Sequence, residues 1–180
     1  MAENHWGATG HLAQQQGAFE PQRQNNFSIS INGLGEGDAE LISLALSSLS
    51  LPNESNEIVE LPYGNEVVKV AGQARFDDVT LSVRDFVDRG VRDILVRWRR
   101  QVYDPRPEQG AKIGLAKDYK KSASITLHAP DGSQKRVCSL QGVWPSTINH
   151  GSLDMATSDV VQIELTLSVD KAYWAIEDAA

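Results

Sequence analysis

The residues best suited to metal binding are too scattered to form a site. The chain has four histidines, His5, His11, His128 and His150, and one cysteine, Cys138. Structural zinc sites bring together four ligands as closely spaced pairs of Cys or His, and no such spacing occurs here. A single cysteine forms neither an internal disulfide nor a thiolate cluster. The sequence therefore predicts no metal centre, no cofactor and no redox scaffold, and Cys138 is expected to pack as a small apolar side chain.

Two patterns match catalytic or nucleotide-binding motifs only in part. Serine, histidine and aspartate are all present, but no Gly-x-Ser-x-Gly sequence marks a nucleophile. The glycine-rich stretch Gly33–Asp38 lacks the Lys-Ser/Thr ending of a phosphate-binding loop, and its two carboxylates would repel phosphate. We therefore expect a mobile loop at this stretch and no catalytic site in the chain.

Charge is distributed in three blocks along the chain. The formal net charge is −7, made up of −8 over residues 1–83, +6 over residues 84–136 and −5 over residues 137–180. An acidic chain is a poor nucleic-acid binder, because attraction to phosphate requires clustered positive charge. A basic cluster of Lys117, Lys120 and Lys121 around Tyr119 is therefore predicted to face an acidic neighbouring surface. Alternating blocks suit a molecule that pairs with copies of itself.

Length and composition favour one folded domain. The chain has 180 residues, of which 41% are apolar and 23% charged, enough for one sizeable core. No window approaches the roughly 20 apolar residues of a membrane-spanning helix, so no stable membrane insertion is expected. The N-terminus lacks the features of a secretory signal. Residues 1–26, rich in Gln, Asn, Gly and Ala, are predicted to be a flexible arm, and residues 27–180 the domain.

Period-2 patterns predict most of the secondary structure to be strand. Phe27, Ile29 and Ile31 alternate with polar residues, which predicts a strand with one buried face. Residues 40–51 are apolar on both faces at first and are predicted to be a strand covered on both sides. Turn residues predict two hairpins, one joining 58–62 to 66–71 and the other joining 124–128 to 135–140, and a further strand is predicted over 76–83.

One segment has helical periodicity. Val87, Val91, Ile94, Leu95, Trp98 and Val102 recur at helical spacing. This predicts a helix over 88–102, capped by Asp85 or Asp88 and ended by Pro105 and Pro107. Its core-facing stripe is predicted to be Val91, Ile94, Leu95 and Trp98.

The last strand has the clearest alternation. Val161, Ile163, Leu165, Leu167 and Val169 alternate with polar residues, so one face is predicted to be buried and the other polar. The patterns together predict a mainly β fold, a sandwich or partial barrel with one packed helix. So many short strands leave open edges, and we expect these edges to pair with other copies.

The order of these segments resembles the tail tube proteins of contractile-tailed bacteriophages. The resemblance extends from Phe27 to Trp174 and includes Phe27–Leu34, Leu81–Asp85 before the helix, and Tyr119-Lys120-Lys121. Its most specific segment is Leu140-Gln141-Gly142-Val143-Trp144-Pro145-Ser146-Thr147-Ile148, followed by Leu153-Asp154 and the alternating strand.

The resemblance implies a structural protein whose geometry is its function. Six subunits would form a ring, each lending strands to a continuous inner β-barrel, and rings would stack into a hollow tube that conducts viral DNA. The implied partners are other copies, the tail sheath, the baseplate initiator and the terminator, in a virion tail assembled in the host bacterial cytoplasm. Within that picture, the residues expected to face the bore are Ser28, Ser30, Gln162, Glu164, Thr166 and Ser168. The residues expected between subunits or rings are Glu36, Asp38, Glu54, Glu57, Lys117, Lys120 and Lys121.

Two alternatives follow from the same residues. Similar tubes occur in type VI secretion and in phage-tail-like injection systems, which the sequence does not separate from a phage tail. A monomeric ligand-binding β-barrel, with Trp98, Trp144 and Trp174 around a pocket, is the alternative from a different class.

Overall fold

The computed structural model describes residues 21–88, 90–106, 108 and 110–175. Most of the predicted N-terminal arm, residues 1–20, lies outside the described residues. Within the described residues there are nine strands and three helices. In chain order they are β1 Phe27–Asn32, α1 Asp38–Ala45, β2 Leu46–Leu49, β3 Glu54–Tyr63, β4 Glu66–Phe76, β5 Val79–Arg84, α2 Val91–Val102, α3 Ala116–Tyr119, β6 Lys121–His128, β7 Gln134–Asn149, β8 Gln162–Ser168 and β9 Lys171–Ala175.

One long strand organises the main sheet into two halves. The sheet has seven strands in the order β1-β6-β7-β8-β5-β2, with β9 also paired to β7. The N-terminal part of β7 pairs with β6 and β9, and its C-terminal part, Trp144–Asn149, pairs with β8. We call β1, β6, β9 and the first part of β7 the first half-sheet, and β8, β5, β2 and Trp144–Asn149 the second half-sheet. The mainly β fold is confirmed, and the sheet does not close on itself.

Gly142 lies where β7 passes from one half-sheet to the other. Its φ is +68°, a left-handed conformation that only glycine adopts without strain. A Cβ at this position would collide with the carboxylate of Asp170. Lys120 Nζ binds that carboxylate at 2.6 and 2.8 Å, so the bend is held by three segments of the chain. The most specific segment of the resemblance thus contains the bend that joins the two half-sheets.

Apolar faces of both half-sheets meet in one core. Ile29, Ile31, Ile125 and Leu140 come from the first half-sheet. Val79, Leu81, Val83, Ile163, Leu165 and Leu167 come from the second. Helix α2 adds Val91, Ile94, Leu95 and Trp98, all of which are buried. Cys138 is also fully buried, and desolvation, with a smaller contribution from Glu54, raises the pKa of its thiol.

The predicted strand over residues 40–51 is wrong in its first half. Residues 38–45 form helix α1, and only Leu46–Leu49 form a strand. Helix α1 begins after Gly37, whose φ is +79°, and carries Asp38 and Glu40 in its first turn. Ile42 and Ala45, three residues apart, are buried. A short helix that buries one side gives an apolar run that periodicity does not distinguish from a covered strand. The prediction of a single helix is corrected with it.

The predicted cap of helix α2 is also wrong. The helix begins at Val91 instead of Asp88, its N-cap is Gly90, and no side chain caps it. Asp85 instead accepts a hydrogen bond from Arg92 Nε at 2.9 Å. The acid therefore ties the end of β5 to the first turn of the helix.

Strand β8 is not the last strand. The chain turns at Asp170 and adds β9, which pairs with β7 and not with β8. Strand β7 is also much longer than the predicted 135–140, at 16 residues. Its length explains the extra strand, because one part of β7 serves β8 and the other serves β9.

Strands β3 and β4 form a separate two-stranded hairpin. The predicted hairpin is confirmed and is longer than expected, with Tyr63 paired to Glu66 at its tip and Glu54 paired to Phe76 at its base.

The C-terminal end of the predicted N-terminal arm contacts the domain. Gln22 Nε2 donates to the carbonyl of His128 at 2.9 Å. In the described part of the chain, no helix has the length and apolar character needed to cross a membrane.

Candidate functional site

The outer face of the second half-sheet is polar. Along β8, Ile163, Leu165 and Leu167 point into the core, while Gln162, Glu164, Thr166 and Ser168 point away from it. This alternation places all four predicted bore residues of β8 on one surface.

Neighbouring strands extend this surface in register. Thr80 lies opposite Thr166, Ser82 opposite Glu164 and Arg84 opposite Gln162. Residues directly opposite on paired strands share a face. Ser82 Oγ donates to Gln162 Oε1 at 3.2 Å, and Asn149 Nδ2 to Glu164 Oε2 at 3.4 Å. We call this surface, formed by the outward residues of β8, β5 and Trp144–Asn149, the polar face.

Arg84 changes the charge of the polar face. The residues expected at the bore include one carboxylate, Glu164, and no cation. Across β5 and β8, the register adds the guanidinium of Arg84, so these two strands together contribute no net charge. Alternation within β8 did not identify Arg84, because a neighbouring strand's contribution depends on a pairing register that the sequence does not show.

Two strand edges flank the polar face. Trp144–Asn149 pairs with β8 on one side, and β2 pairs with β5 on one side. Neither has a strand on its other side within the described residues. Such edges present unpaired N–H and C=O groups that bind another strand.

Ser28 and Ser30 lie on the other half-sheet. Both are on β1, which pairs only with β6 in the described chain. Ser28 Oγ is 2.8 Å from His128 Nε2, and Ser30 lies opposite Ser124. The structure therefore does not bring these two serines together with the polar residues of β8.

Four of the seven charges expected between subunits have partners in their own chain. Lys120 binds Asp170, Lys121 Nζ donates to the carbonyl of Gly33 at 2.5 Å, and burial lowers the pKa of Lys121. The other two form ion pairs, Asp38 with Arg97 at 3.7 Å and Glu57 with Arg75 at 3.6 Å.

The remaining three charges are exposed and unpaired. The side chains of Glu36, Glu54 and Lys117 have no hydrogen bond or ion pair to any residue that the structure describes. They are the members of the predicted set that stay available to a neighbouring copy.

The β3–β4 hairpin exposes apolar side chains that sequence analysis did not single out. Its two strands are exposed along almost their whole length. The exposed fractions run from 41% at Val59 to 81% at Tyr63. The others in this range are Ile58, Leu61, Val67, Val68 and Val70. Ion pairs such as Lys69 with Glu60 at 3.3 Å join the two strands and leave the surface of the hairpin open.

The tryptophans have separate structural roles. Trp98 is 1% exposed, and its Nε1 donates to the carbonyl of Tyr119 at 2.9 Å. Trp144 contacts the Tyr119 ring edge to face, with centroids 5.7 Å apart. Trp174 packs at the margin of the core.

A cavity of about 820 Å³ lies away from the three tryptophans, under the loop from Gly151 to Val161. In the described residues, no group of three or more His, Cys, Asp or Glu is placed to hold a metal ion.

Comparison with known proteins identifies the family. The family model for the T4-like virus tail tube protein gp19 matches residues 23–173. Tail tube protein gp19 of Enterobacteria phage T4 is 28% identical over 156 residues, covering 84% of this chain and 90% of that protein. The corresponding protein of Enterobacteria phage T6 has the same identity and coverage.

The fold is shared with chains of an extracellular contractile injection system. One chain of the sheath-tube complex of an extracellular contractile injection system, PVC, aligns with a TM-score of 0.68 at 21% identity, covering 90% of this chain and 97% of that chain. A chain of the sheath/tube terminator of PVC also aligns with a TM-score of 0.68, at 19% identity over 88% of this chain and 99% of that one. With residues 23–173 matched, this chain belongs to the T4-like virus tail tube protein gp19 family, and it is a structural tail tube protein and not an enzyme.

Proposed function

We propose that this chain assembles into hexameric rings that stack into the hollow inner tube of a contractile phage tail, through which viral DNA passes. The observation that carries this proposal is the second half-sheet, whose polar face lies between two unpaired edges. A sheet of this kind is incomplete in one chain, because open edges bind further strands.

Joining the edges of neighbouring copies would close the wall of the tube. The edge of Trp144–Asn149 on one copy pairs with the β2 edge of the next, and repetition around a ring gives a barrel without edges. Core packing of Ile163, Leu165 and Leu167 turns the opposite face of β8 towards the bore. Ser28 and Ser30 then lie away from the bore, on the surface of the first half-sheet.

The polar face suits a conduit that does not hold its cargo. It presents hydroxyl and amide groups, with one carboxylate at Glu164 and one guanidinium at Arg84 on β8 and β5. Retention of DNA requires clustered positive charge that releases counterions. A wall without net charge gives weak, sequence-independent contact, so DNA slides through it.

The β3–β4 hairpin is proposed to be an arm that packs on another copy. An isolated two-stranded hairpin is marginally stable in water, and this one exposes apolar side chains such as Ile58, Leu61 and Val68. Burial against the adjacent ring would cover them. Glu54 at the base of the hairpin, together with Glu36 and Lys117, is available for charge pairing in the same contacts.

The remaining partners are proposed from the family and the shared fold. The PVC structures are those of a sheath-tube complex and of a sheath/tube terminator. For this chain we propose a surrounding tail sheath, a terminator, and a baseplate that starts the tube. The tube would form in the host bacterial cytoplasm and end in the virion tail, without stable insertion into a membrane. Residues 1–26 are proposed as an arm outside the 27–180 domain.

Electron microscopy of the purified chain over a concentration series tests the assembly. We expect rings or tubes with a central bore, in a proportion that rises with concentration. A chain that remains monomeric at all concentrations and shows a ligand-dependent rise in Tm would instead support the monomeric ligand-binding barrel. Genes for capsid, portal and terminase beside this one would separate a phage tail from an injection or secretion system.

Substitution of Glu164 tests the bore. Glu164→Lys gives β8 and β5 two cations and no carboxylate, and we expect phage that assemble tubes but release DNA slowly. Glu164→Gln is the matched control, because it removes the carboxylate and adds no cation. Normal infectivity of phage with intact lysine-bearing tubes would contradict the placement of this face in the bore.

A further inference from the structure

A groove of about 470 Å³ runs between helix α2 and the C-terminal part of β7. The helix contributes two guanidinium groups, those of Arg99 and Arg100, together with the half-exposed ring of Tyr103. Strand β7 and the residue after it contribute Ile148 and His150. The groove thus combines positive charge with apolar surface, which suits an occupant with a carboxylate next to an apolar side chain.

Arg99 has no acceptor of its own in this groove. Its Nη1 atom is buried and has no hydrogen-bond partner among the residues that the structure describes. The hydrogen bond from Arg106, and to a smaller extent the charge of Arg100, lower the pKa of Asp104. This carboxylate is therefore already engaged, with Arg106 Nη2 at 2.6 Å from its Oδ2. A buried N–H group without a partner is unfavourable, so an acceptor brought to this half-buried side chain from outside the chain would be stabilising.

Helix α1 presents a matching surface. Ile42 and Ala45 are buried, while Glu40 and Leu44, one turn apart, share its exposed side. Leu44 is 71% exposed. The Glu40 carboxylate has no hydrogen bond or ion pair to any other described residue. The carboxylate and the apolar side chain that would suit the groove therefore lie together on α1, where neither is used within its own chain.

The positions of the two surfaces in the fold allow contact between copies. Helix α1 ends at Ala45, and strand β2, one of the two unpaired edges, begins at the next residue. The groove lies beside the other unpaired edge, at the end of β7. Pairing of these edges between copies would therefore bring α1 of one copy towards the groove of the next. Such a contact is head to tail, which closes a ring when the rotation is right.

We propose that the groove beside Arg99 receives the exposed side of α1 from the neighbouring copy, with Glu40 bound to Arg99 and Leu44 packed against Ile148. This contact rests on the proposed function, since it accompanies strand pairing within a ring. It adds charge selection to that pairing, because backbone hydrogen bonds alone do not choose between edges. Each copy uses one groove and one α1 surface, so the charges are satisfied around the whole ring.

Charge reversal at the two positions tests the contact. Purified full-length chains carrying Arg99→Glu or Glu40→Arg are compared with the original chain by analytical ultracentrifugation and electron microscopy. We expect each single variant to need at least a tenfold higher concentration for half-assembly. Arg136→Glu is the matched control, because it makes the same change of charge on β7, away from the groove, and is expected to assemble normally.

Two rescue measurements separate the contact from misfolding. The double variant Glu40→Arg/Arg99→Glu restores opposite charges at each contact and should assemble near the original concentration. An equimolar mixture of the two single variants should also assemble, because alternation of the two chains around the ring places opposite charges at every contact. Single variants that assemble normally, or that neither the double variant nor the mixture rescues, would overturn the groove contact alone. An original chain that never assembles would contradict the proposed function itself.

Discussion

Two regions of the molecule differ in the origin of their stability. The first is the second half-sheet together with helix α2, and the second is the β3–β4 hairpin. In the first region, each inward side chain of β8 and α2 is buried against the same chain, and the Trp98 indole has its hydrogen-bond acceptor at Tyr119. In the second, apolar side chains of both strands are in water, and the contacts of the hairpin are mostly within itself. The core-facing side of the first region is therefore packed within the monomer, whereas the apolar surface of the second is uncovered there and, under the proposed function, is buried only in the assembly.

Under the proposed function, this difference separates the part of the chain that folds alone from the part that contacts other copies. Burial of apolar surface, at roughly 25 cal/mol per Å², stabilises the body before any partner arrives. The apolar side chains of the hairpin are exposed, so in the proposed assembly they would gain that stabilisation only when another copy covers them. Substitutions should therefore divide into those that lower subunit stability and those that lower assembly.

Trp98→Ala should have the largest effect. It removes a side chain that is buried in the core and hydrogen-bonded to Tyr119. Deletion of a large buried aromatic side chain costs about 3–5 kcal/mol. Urea unfolding of the monomer measures the loss, and Tyr63→Ala at the hairpin tip serves as the exposed control. Equal losses in the two variants would contradict the contrast between the regions.

Gly142→Ala should come next. Alanine adds strain at a φ of +68° and a collision with the carboxylate of Asp170, which Lys120 holds in place. We expect a loss of about 1–3 kcal/mol, the range for a strained backbone position. Gly132→Ala is the control, since its φ is +82° but nothing lies near its Cβ position. If the two variants lose the same stability, the collision at the bend has no cost.

Lys120→Ala should have a smaller effect. It removes the ion pair with Asp170, in which both side chains are partly exposed to solvent. Exposed pairs contribute about 0.2–1 kcal/mol and are screened by salt. Thermal unfolding at low and at high ionic strength should show the difference shrinking as salt is added. A loss that does not depend on salt would indicate a packing role for the lysine stem.

Val68→Asp should have the smallest effect on the subunit and a large one on the tube. Val68 is half-exposed on the hairpin and lies opposite Leu61, so a carboxylate there stays in water in the monomer. We expect a change in stability within about 0.5 kcal/mol, as for surface substitutions, and loss of tubes in electron micrographs. Thr157→Asp, in the exposed loop before β8, is the control for added charge. Normal tubes from the Val68 variant would show that the hairpin is not an assembly surface.

Sequence patterns predicted the elements whose burial is one-sided and regular. Helix α2 and strands β1 and β8 follow directly from their apolar periodicity, because one face of each meets the core. Helix α1 was missed because eight residues give too few turns to separate a helical from a covered-strand pattern. Strand β9 was missed because its place depends on the length of β7, a property of tertiary pairing.

The candidate site was predictable only within single strands. The polar row from Gln162 to Ser168 follows from alternation, whereas Arg84 joins it through the register of β5 against β8. Lys120 and Lys121 were expected between subunits. In the structure, Lys120 binds Asp170 and Lys121 binds the carbonyl of Gly33 within the same chain. Long-range contacts of this kind carry no local sequence signal.

Hydrogen exchange of backbone amides, compared between the monomer and the assembled tube, measures whether the hairpin and the two strand edges complete their contacts only between copies. We predict fast exchange at 54–76 and at the free edge of 144–149 in the monomer, with strong protection of both in the tube. The core strand β8 should be protected in both states. Hairpin amides that exchange equally fast in the tube and in the monomer would contradict the account.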